Sequence, residues 1–291
     1  MDTVSQNAIV VHNIYKKFGK PGTPAWKRIL KARTNGNSSA SGNGSNQKRE
    51  IIAVNRVSFT VQEGEIFGVL GPNGSGKSTL IRLIATLLLP DDGDIQVFGH
   101  DVVHDSLSVQ RIINRVSVEA SFFKKLSPME NLMYGARLYG MPGGETKKQV
   151  VEILTRLGLE KRSIYAPMEE MSRGMQQKVA IARALLSKPR VLLLDEPTTG
   201  LDPRSKLEVQ KVIEELRDTW GATILLTTHD MKEADVLCDR VAIMDKGSVV
   251  AMDTPAELKK LVPTKNGEHP TLEDVFLALT GRKLKDEEKS K

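Results

Sequence analysis

Cysteine and long apolar runs are scarce in this sequence of 291 residues. Cys238 is the only cysteine, so no disulfide can form within the chain, and a reducing compartment is its natural setting. The longest apolar stretch, residues 80–89, is interrupted by Arg82 and falls short of the roughly 20 apolar residues of a transmembrane helix. The first residues also lack the basic and apolar segments of a signal peptide. We therefore expect neither a membrane span nor export of the chain.

Acidic residues are absent from one segment. Residues 19–49 contain seven Lys or Arg residues and no Asp or Glu, in a chain with 42 Lys and Arg, 36 Asp and Glu and a net charge of +6. Without those seven bases, the rest of the chain has one more acid than base. The basic balance therefore belongs to this segment alone. It gives no indication of nucleic-acid binding, and we expect no nucleic acid among the partners.

The basic segment, residues 19–50, is interpreted as an insertion with two parts. Residues 34–46 are rich in Gly, Ser and Asn, a composition that predicts a flexible loop. Residues 24–33 carry Trp26, Ile29 and Leu30 among four bases. Residues 24–33 therefore permit two interpretations. They form either a short amphipathic helix at an anionic membrane surface or a solvated loop with incidental charge.

Predicted strands and helices alternate along most of the chain. We expect strands at 9–11, 53–61, 66–70, 94–97, 116–119, 191–194, 223–227 and 240–245, and helices at 77–86, 172–187, 204–220 and 231–237. This order predicts an α/β fold with a mostly parallel sheet that helices cover on both faces. A helical region at 128–158 breaks the alternation. It therefore predicts a separate helical lobe.

The segment GPNGSGKST follows an apolar strand and opens a helix, as a phosphate-binding loop does. Its glycines allow backbone N–H groups to surround an anion at the N-terminus of the helix. We expect Lys77 to reach the β- and γ-phosphates and Ser78 to bind Mg²⁺. The candidate ATP-binding residues of this loop are Gly71, Pro72, Asn73, Gly74, Ser75, Gly76, Lys77, Ser78 and Thr79.

Two further strands end in residues that suit phosphate chemistry. The apolar run at 191–194 ends in Asp195 and Glu196, and ligands of open α/β sheets bind beyond the carboxyl ends of the strands. We expect Asp195 to hold Mg²⁺ and Glu196 to polarise the attacking water as a general base. His229 follows the strand at 223–227 and could donate a hydrogen bond to a γ-phosphate oxygen.

The segment MSRGMQQK, residues 171–178, opens an amphipathic helix with Ser172 at its N-cap position. The order of phosphate loop, serine-glycine helix start, Asp-Glu-Pro and histidine resembles an ATP-binding cassette (ABC) ATPase over residues 8–19 and 51–260. The resemblance implies a P-loop NTPase (RecA-like) core, an antiparallel β-subdomain and a helical subdomain. It also implies ATP hydrolysis with ATP and Mg²⁺ bound.

In that family, two cassettes close around two ATP molecules. The resemblance implies that Ser172 and Gly174 contact the γ-phosphate bound to the opposite cassette, and that Asp202 lies in the loop that crosses between the two sites. Phe18 matches the aromatic residue that stacks on adenine. Glu119 stands where the family usually has a glutamine that senses Mg²⁺, and a carboxylate there could still bind the metal.

The sequence near 130–140 and 271–281 resembles exporter cassettes that pair with separate membrane proteins. We expect permease subunits and a second cassette, most simply another copy of this chain, as partners at the cytoplasmic face of the membrane. The permease would contact the helical lobe around 122–139. We expect the ABC domain to cover 1–260, with the helical subdomain at about 120–170, the insertion at about 19–50 and a C-terminal extension at 261–291.

Four other kinds of ABC protein are alternatives to the exporter. Repair-type cassettes need a long coiled coil, and translation-type cassettes carry two cassettes in one chain; this sequence has neither. A regulatory module without catalysis is disfavoured because Lys77, Asp195, Glu196 and His229 are all present. An importer cassette remains open.

Overall fold

The structure is a computed structural model that describes residues 7–19, 50–117, 121–263 and 269–281. The strands of these residues are β1 (Asn7–Phe18), β2 (Ile51–Gln62), β3 (Ile66–Leu70), β4 (Asp92–Val97), β5 (His100–Asp101), β6 (Ile113–Val116), β7 (Val191–Asp195), β8 (Thr223–Thr228), β9 (Arg240–Asp245) and β10 (Ser248–Asp253). The α-helices are α1 (Lys77–Ile84), α2 (Ser106–Ile112), α3 (Pro128–Leu138), α4 (Gly143–Arg156), α5 (Lys161–Tyr165), α6 (Arg173–Leu185), α7 (Pro203–Trp220), α8 (Met231–Leu237), α9 (Pro255–Lys259) and α10 (Leu272–Thr280).

The larger sheet has the strand order β10-β9-β3-β8-β7-β6. All neighbours in it are parallel except β10, which pairs with β9 in the antiparallel direction. Every residue of β3, β7 and β8 is buried, which is why these strands are continuous apolar runs rather than alternating ones. Because β3, β7 and β8 are parallel, their carboxyl ends meet at one edge of the sheet.

The smaller sheet is antiparallel and has the order β2-β1-β4-β5. Its inner face packs on the larger sheet, as shown by the Phe59 and Phe67 rings, which stack with their centroids 4.9 Å apart. The residues between β6 and β7 form no strand where they are described, but contribute α3, α4, α5 and α6. The α/β class, the mostly parallel sheet, the antiparallel β-subdomain and the helical subdomain predicted from the sequence are therefore confirmed.

One strand prediction was wrong in position. The strand expected at 116–119 is β6, which begins at Ile113 and ends at Val116. Its pairing explains the shift, because Ile113 lies opposite Val191 and Val116 opposite Leu194, so the partner strand sets the register. Elements α2, β5, β10 and α9 were not predicted.

Some predictions concern residues outside the described ranges. They include Glu119 and nearly all of the insertion at 19–50, with its amphipathic part at 24–33. The limits of the domains stay predictions as well. Among the described residues, no helix has the length and apolar character that a membrane crossing requires.

Candidate nucleotide-binding and catalytic site

The loop between β3 and α1 is held closely against neighbouring backbone. A Cβ atom at Gly71 would lie 2.2 Å from the carbonyl oxygen of Met244, and one at Gly76 would lie 2.1 Å from that of Ala53. Gly76 also has a φ of +105°, which side chains other than glycine rarely allow. The backbone of Ser75 accepts a hydrogen bond from the N–H of Gly247 at 2.9 Å. The loop therefore needs glycine at these positions. It is held in place by β2 and by the hairpin of β9 and β10.

Lys77, the first residue of α1, points back over this loop. Its ammonium group donates to the carbonyl oxygens of Gly71 at 2.8 Å and Pro72 at 3.0 Å, and lies 3.5 Å from a carboxylate oxygen of Glu196. Burial lowers the pKa of Lys77, and the charges of Glu196 and Asp195 oppose that shift. The loop thus holds a buried ammonium group at its centre, beside a carboxylate.

Asp195 ends β7 and is buried. Its Oδ1 accepts hydrogen bonds from Ser78 Oγ at 3.0 Å and from Thr227 Oγ1 at 2.8 Å. Its Oδ2 lies 3.4 Å from Nη2 of Arg115. The two predicted metal ligands, Ser78 and Asp195, are therefore in direct contact.

Glu196 adopts the left-handed backbone conformation, with a φ of +50°. For residues other than glycine this conformation costs about 1–3 kcal/mol and is concentrated at functional sites. The backbone N–H of Glu196 donates to the carbonyl oxygen of Thr227 at 3.1 Å. The turn directs the carboxylate away from β7 and into the site, where Oε2 accepts from Thr199 Oγ1 at 3.0 Å.

His229 follows β8 and lies beside this carboxylate. Its Nδ1 is 3.2 Å from Oε2 of Glu196. Contact with the His229 ring is the largest cause that lowers the pKa of Glu196 to about 2, and Lys77 acts in the same direction. The same contact raises the pKa of His229. Glu196 is therefore an anion at neutral pH and lies between the Lys77 ammonium group and the His229 ring.

The serine-glycine helix start, formed by Ser172 and Gly174 and called the signature, lies at the N-terminus of α6. Ser172 is exposed, and its side chain accepts a hydrogen bond from the N–H of Met175 at 3.2 Å. Gly174 is buried against α7, where an added Cβ atom would lie 2.6 Å from both Cβ and Oγ of Ser205. Asp202 caps α7 by accepting from the N–H groups of Arg204 and Ser205. These three predicted residues thus belong to two adjoining helix starts.

Phe18, the residue expected to stack on adenine, is the last residue of β1 and is 41% exposed. The Lys16 ammonium lies 5.7 Å from the centroid of its ring. An accessible ring beside a cation suits a stacking contact. The adenine contact itself stays a prediction.

Sequence reasoning missed several residues that shape the site. Thr227 was predicted only as the last residue of the strand at 223–227, and Arg115 lies in β6. Thr198 and Glu233 are buried side chains that hydrogen-bond to each other and lie close to Glu196 and His229 in the chain. The only signal for Thr227 was the hydroxyl-rich end of its strand.

The fold and this site define a nucleotide-binding protein of the P-loop class. The sequence profile of the family described as "ABC transporter" matches residues 54–199. The chain belongs to the ABC transporter family, and the resemblance found from the motifs is confirmed.

Curated relatives include proteins of drug resistance. The chain is 38% identical over 205 residues to the linearmycin resistance ATP-binding protein of Bacillus subtilis, covering 70% of this chain and 65% of that protein. It is 42% identical over 207 residues to the daunorubicin/doxorubicin resistance ATP-binding protein of Streptomyces peucetius, covering 71% and 62%. The matched part thus spans less than two thirds of either relative. The ABC transporter ATP-binding protein NatA of Bacillus subtilis is 40% identical and is covered over 82% of its length.

Solved structures of similar fold include ABC cassettes. One is a dimeric ATP-binding cassette in a post-hydrolysis state bound to ADP and Pi, with a TM-score of 0.68, 26% identity and coverage of 84% of this chain and 98% of that one. Another is a cassette of the cbiONQ transporter from Clostridium perfringens, with a TM-score of 0.69, 27% identity and coverage of 87% and 90%.

Proposed function

We propose that the chain binds and hydrolyses ATP as the cassette subunit of an ABC exporter. The observation that supports this proposal most directly is the convergence of Lys77, Ser78, Asp195, Glu196 and His229 at the carboxyl ends of β3, β7 and β8. Ser78 Oγ lies 3.0 Å from Asp195, and the carboxylate of Glu196 lies 3.5 Å from Lys77 Nζ and 3.2 Å from His229 Nδ1.

The phosphate loop supplies the binding site for the triphosphate. The side-chain Oγ of Ser75 is buried and has no hydrogen-bond partner among the described residues, so a phosphate oxygen would satisfy a polar atom that the protein leaves free. Lys77 exchanges its two carbonyl partners for the β- and γ-phosphates. The remaining loop residues contribute backbone N–H groups at the start of α1.

The donor set also fits Mg²⁺. Ser78 and Asp195 offer hydroxyl and carboxylate oxygens, the ligands that this hard cation prefers. When bound, Mg²⁺ neutralises charge on the phosphate oxygens. Glu119 is proposed as a further Mg²⁺ ligand from the sequence alone.

Glu196 is the proposed general base and His229 the proposed donor to the γ-phosphate. A carboxylate with a pKa of about 2 is a weak base, because a general base works best with a pKa near the working pH. Its low pKa comes from contacts with His229 and Lys77. When Lys77 and His229 turn to the negative phosphates, they stabilise the carboxylate less, and the pKa of Glu196 rises toward the range useful for activating water.

The exposed signature supports a head-to-tail pair of cassettes. Ser172 and the N-terminus of α6 face solvent, where they could meet the γ-phosphate held by a second copy of the chain. Asp202 lies at the start of α7 and Phe18 at the edge of the smaller sheet, so the proposed ATP contacts come from both cassettes. The similar cassette bound to ADP and Pi is a dimer, which supports pairing of two cassettes.

The helical subdomain carries the proposed contact with a permease. Apolar side chains there are unusually exposed: Phe123 is 55%, Leu138 73% and Tyr139 61% accessible. A cleft of about 780 Å³ lies next to Tyr139 and is also lined by Leu87 and Leu107. Exposed apolar patches of this kind mark protein interaction sites.

We propose a peripheral location at the cytoplasmic face of the membrane, where permease subunits would cover this surface. The names of the drug-resistance relatives favour export over import.

Replacing Glu196 with glutamine tests the catalytic assignment. Glu196→Gln keeps the shape of the side chain but removes the base, so we expect normal ATP binding, a stable ATP-bound dimer and turnover reduced by at least about a hundredfold. ATP binding is measured with a fluorescent analogue, dimers by size-exclusion chromatography, and turnover by phosphate release. Glu63→Gln, at an exposed position near the opposite end of the sheet, is the matched control. Turnover near the wild-type rate in Glu196→Gln would overturn the assignment.

A further inference from the structure

Glu233 is a buried carboxylate with no role in the chemistry described so far. It lies in the first turn of α8, four residues beyond His229, and is 1% exposed. Burial raises its pKa, while hydrogen bonds from two threonines act in the opposite direction. A buried acid requires partners, because an unpaired charge in the protein interior is costly.

One partner lies in the loop after β7, and the other is the last residue of β8. Thr198 Oγ1 donates to Oε1 of Glu233 at 2.6 Å, and Thr228 Oγ1 donates to Oε2 at 2.5 Å. All three side chains are buried. Thr198 follows Glu196 by two residues, and Thr228 immediately precedes His229. One carboxylate thus joins the loop that carries the proposed base to the loop that carries the proposed phosphate donor.

A second set of contacts holds the histidine loop. Thr228 Oγ1 accepts the N–H of Asp230 at 3.0 Å while it donates to Glu233. The side chain of Asp230 caps α8 by accepting from the N–H groups of Lys232 and Glu233, and it pairs with Lys206 of α7. Thr228 is therefore hydrogen-bonded to Glu233 directly, and Asp230 is connected to Glu233 through Thr228.

We propose that Glu233 is a positioning residue for ATP hydrolysis, which fixes Glu196 and His229 relative to each other through Thr198 and Thr228. This inference rests on the proposed catalytic roles of Glu196 and His229. Their contact is 3.2 Å long, and small displacements of catalytic groups have large effects on rate. A carboxylate suits this position because it accepts from two hydroxyl donors at once.

Glu233→Gln is the first test. Glutamine offers one acceptor oxygen and an NH₂ donor, so one threonine hydroxyl must give up its present role. We expect kcat for ATP hydrolysis to fall by about tenfold or more, with the KM for ATP nearly unchanged because the phosphate loop is not altered. Thr198→Val removes one donor at nearly constant volume, and we expect the same pattern from it.

The double variant tests whether the two residues act as one unit. If Glu233 works through Thr198, the fold loss of kcat in the double variant Glu233→Gln, Thr198→Val should be much smaller than the product of the fold losses in the two single variants. Independent, multiplicative losses would contradict the proposed connection.

Glu65→Gln is the matched control. Glu65 is also a buried acid, but it lies at the amino end of β3, where it accepts from the N–H of Gln62 and pairs with Arg240. We expect this variant to lower the melting temperature while kcat stays near the wild-type value. Equal losses of kcat in Glu65→Gln and Glu233→Gln would indicate general destabilisation and overturn the inference.

The activities of Glu196→Gln and Glu233→Gln together distinguish a failure of the positioning role from a failure of the proposed function. If Glu196→Gln is inactive but Glu233→Gln hydrolyses ATP at the wild-type rate, the catalytic assignment stands and the positioning role fails. If Glu196→Gln is fully active, the catalytic assignment itself fails, whatever Glu233→Gln does.

Discussion

The close contact between α6 and α7 makes Gly174→Ala a sharp test of why the signature contains this glycine. The added Cβ atom would lie 2.6 Å from Cβ and Oγ of Ser205, whereas carbon atoms in good contact are about 3.5–4.0 Å apart. The two helix starts must therefore separate by about 1 Å. Overpacking of this kind costs about 1–3 kcal/mol, and the higher helix propensity of alanine recovers at most about 1 kcal/mol.

We expect a net loss of about 1–2 kcal/mol in Gly174→Ala, which corresponds to a melting temperature lower by roughly 2–8 °C for a chain of this size. Thermal and urea unfolding measure the loss. Ser205→Gly removes the atoms that the new methyl group would meet. In the Ser205→Gly background, Gly174→Ala should therefore cost nothing or stabilise the protein.

The same pair of variants separates packing from contact with phosphate. Alanine keeps the backbone N–H that Gly174 would donate to a γ-phosphate. The Gly174→Ala, Ser205→Gly protein should therefore match the Ser205→Gly protein in ATPase activity as well as in stability. An equal loss of stability from Gly174→Ala in both backgrounds would refute the steric explanation.

Two other predictions follow from charges at the site. Because Glu196 raises the pKa of His229, Glu196→Gln should move that pKa down toward 6.5, as measured by NMR titration without nucleotide; an unchanged pKa would contradict the contact. Because the Arg115 guanidinium lies 3.4 Å from Asp195, Arg115→Gln should lower the Mg²⁺ concentration needed for half-maximal binding of a fluorescent ATP analogue. The exposed Arg111→Gln should have no effect, and a higher Mg²⁺ requirement in Arg115→Gln would refute this reasoning.

Much of the site could be predicted because its residues follow apolar strands directly. Asp195, Glu196 and His229 lie within one residue of the end of β7 or β8, and Lys77 begins the helix that follows β3. Parallel strands bring such ends together. Glycine spacing in the phosphate loop and the serine at the helix start are equally local signals. Short-range pattern was therefore sufficient for these positions.

The remaining contacts depend on tertiary packing. Nothing in the sequence around Glu233 indicates that it meets Thr198, because the two are 35 residues apart and become neighbours only when β7 pairs with β8. The position of β6 is likewise set by its register with β7. Gly174 was assigned from the resemblance to a backbone contact, whereas its neighbour Ser205 shows a steric requirement as well.

The phosphate loop is held in shape by contacts with the rest of the protein. Its glycines rest against the backbone at Ala53 and Met244, and Ser75 is bonded to Gly247. Ligand binding then loses little affinity to the immobilisation of a loop, a cost that flexible binding sites carry. Since ATP and ADP meet the same preformed loop, we expect the difference in their affinities to come from contacts with the γ-phosphate, and the release of product to require no unfolding of the loop.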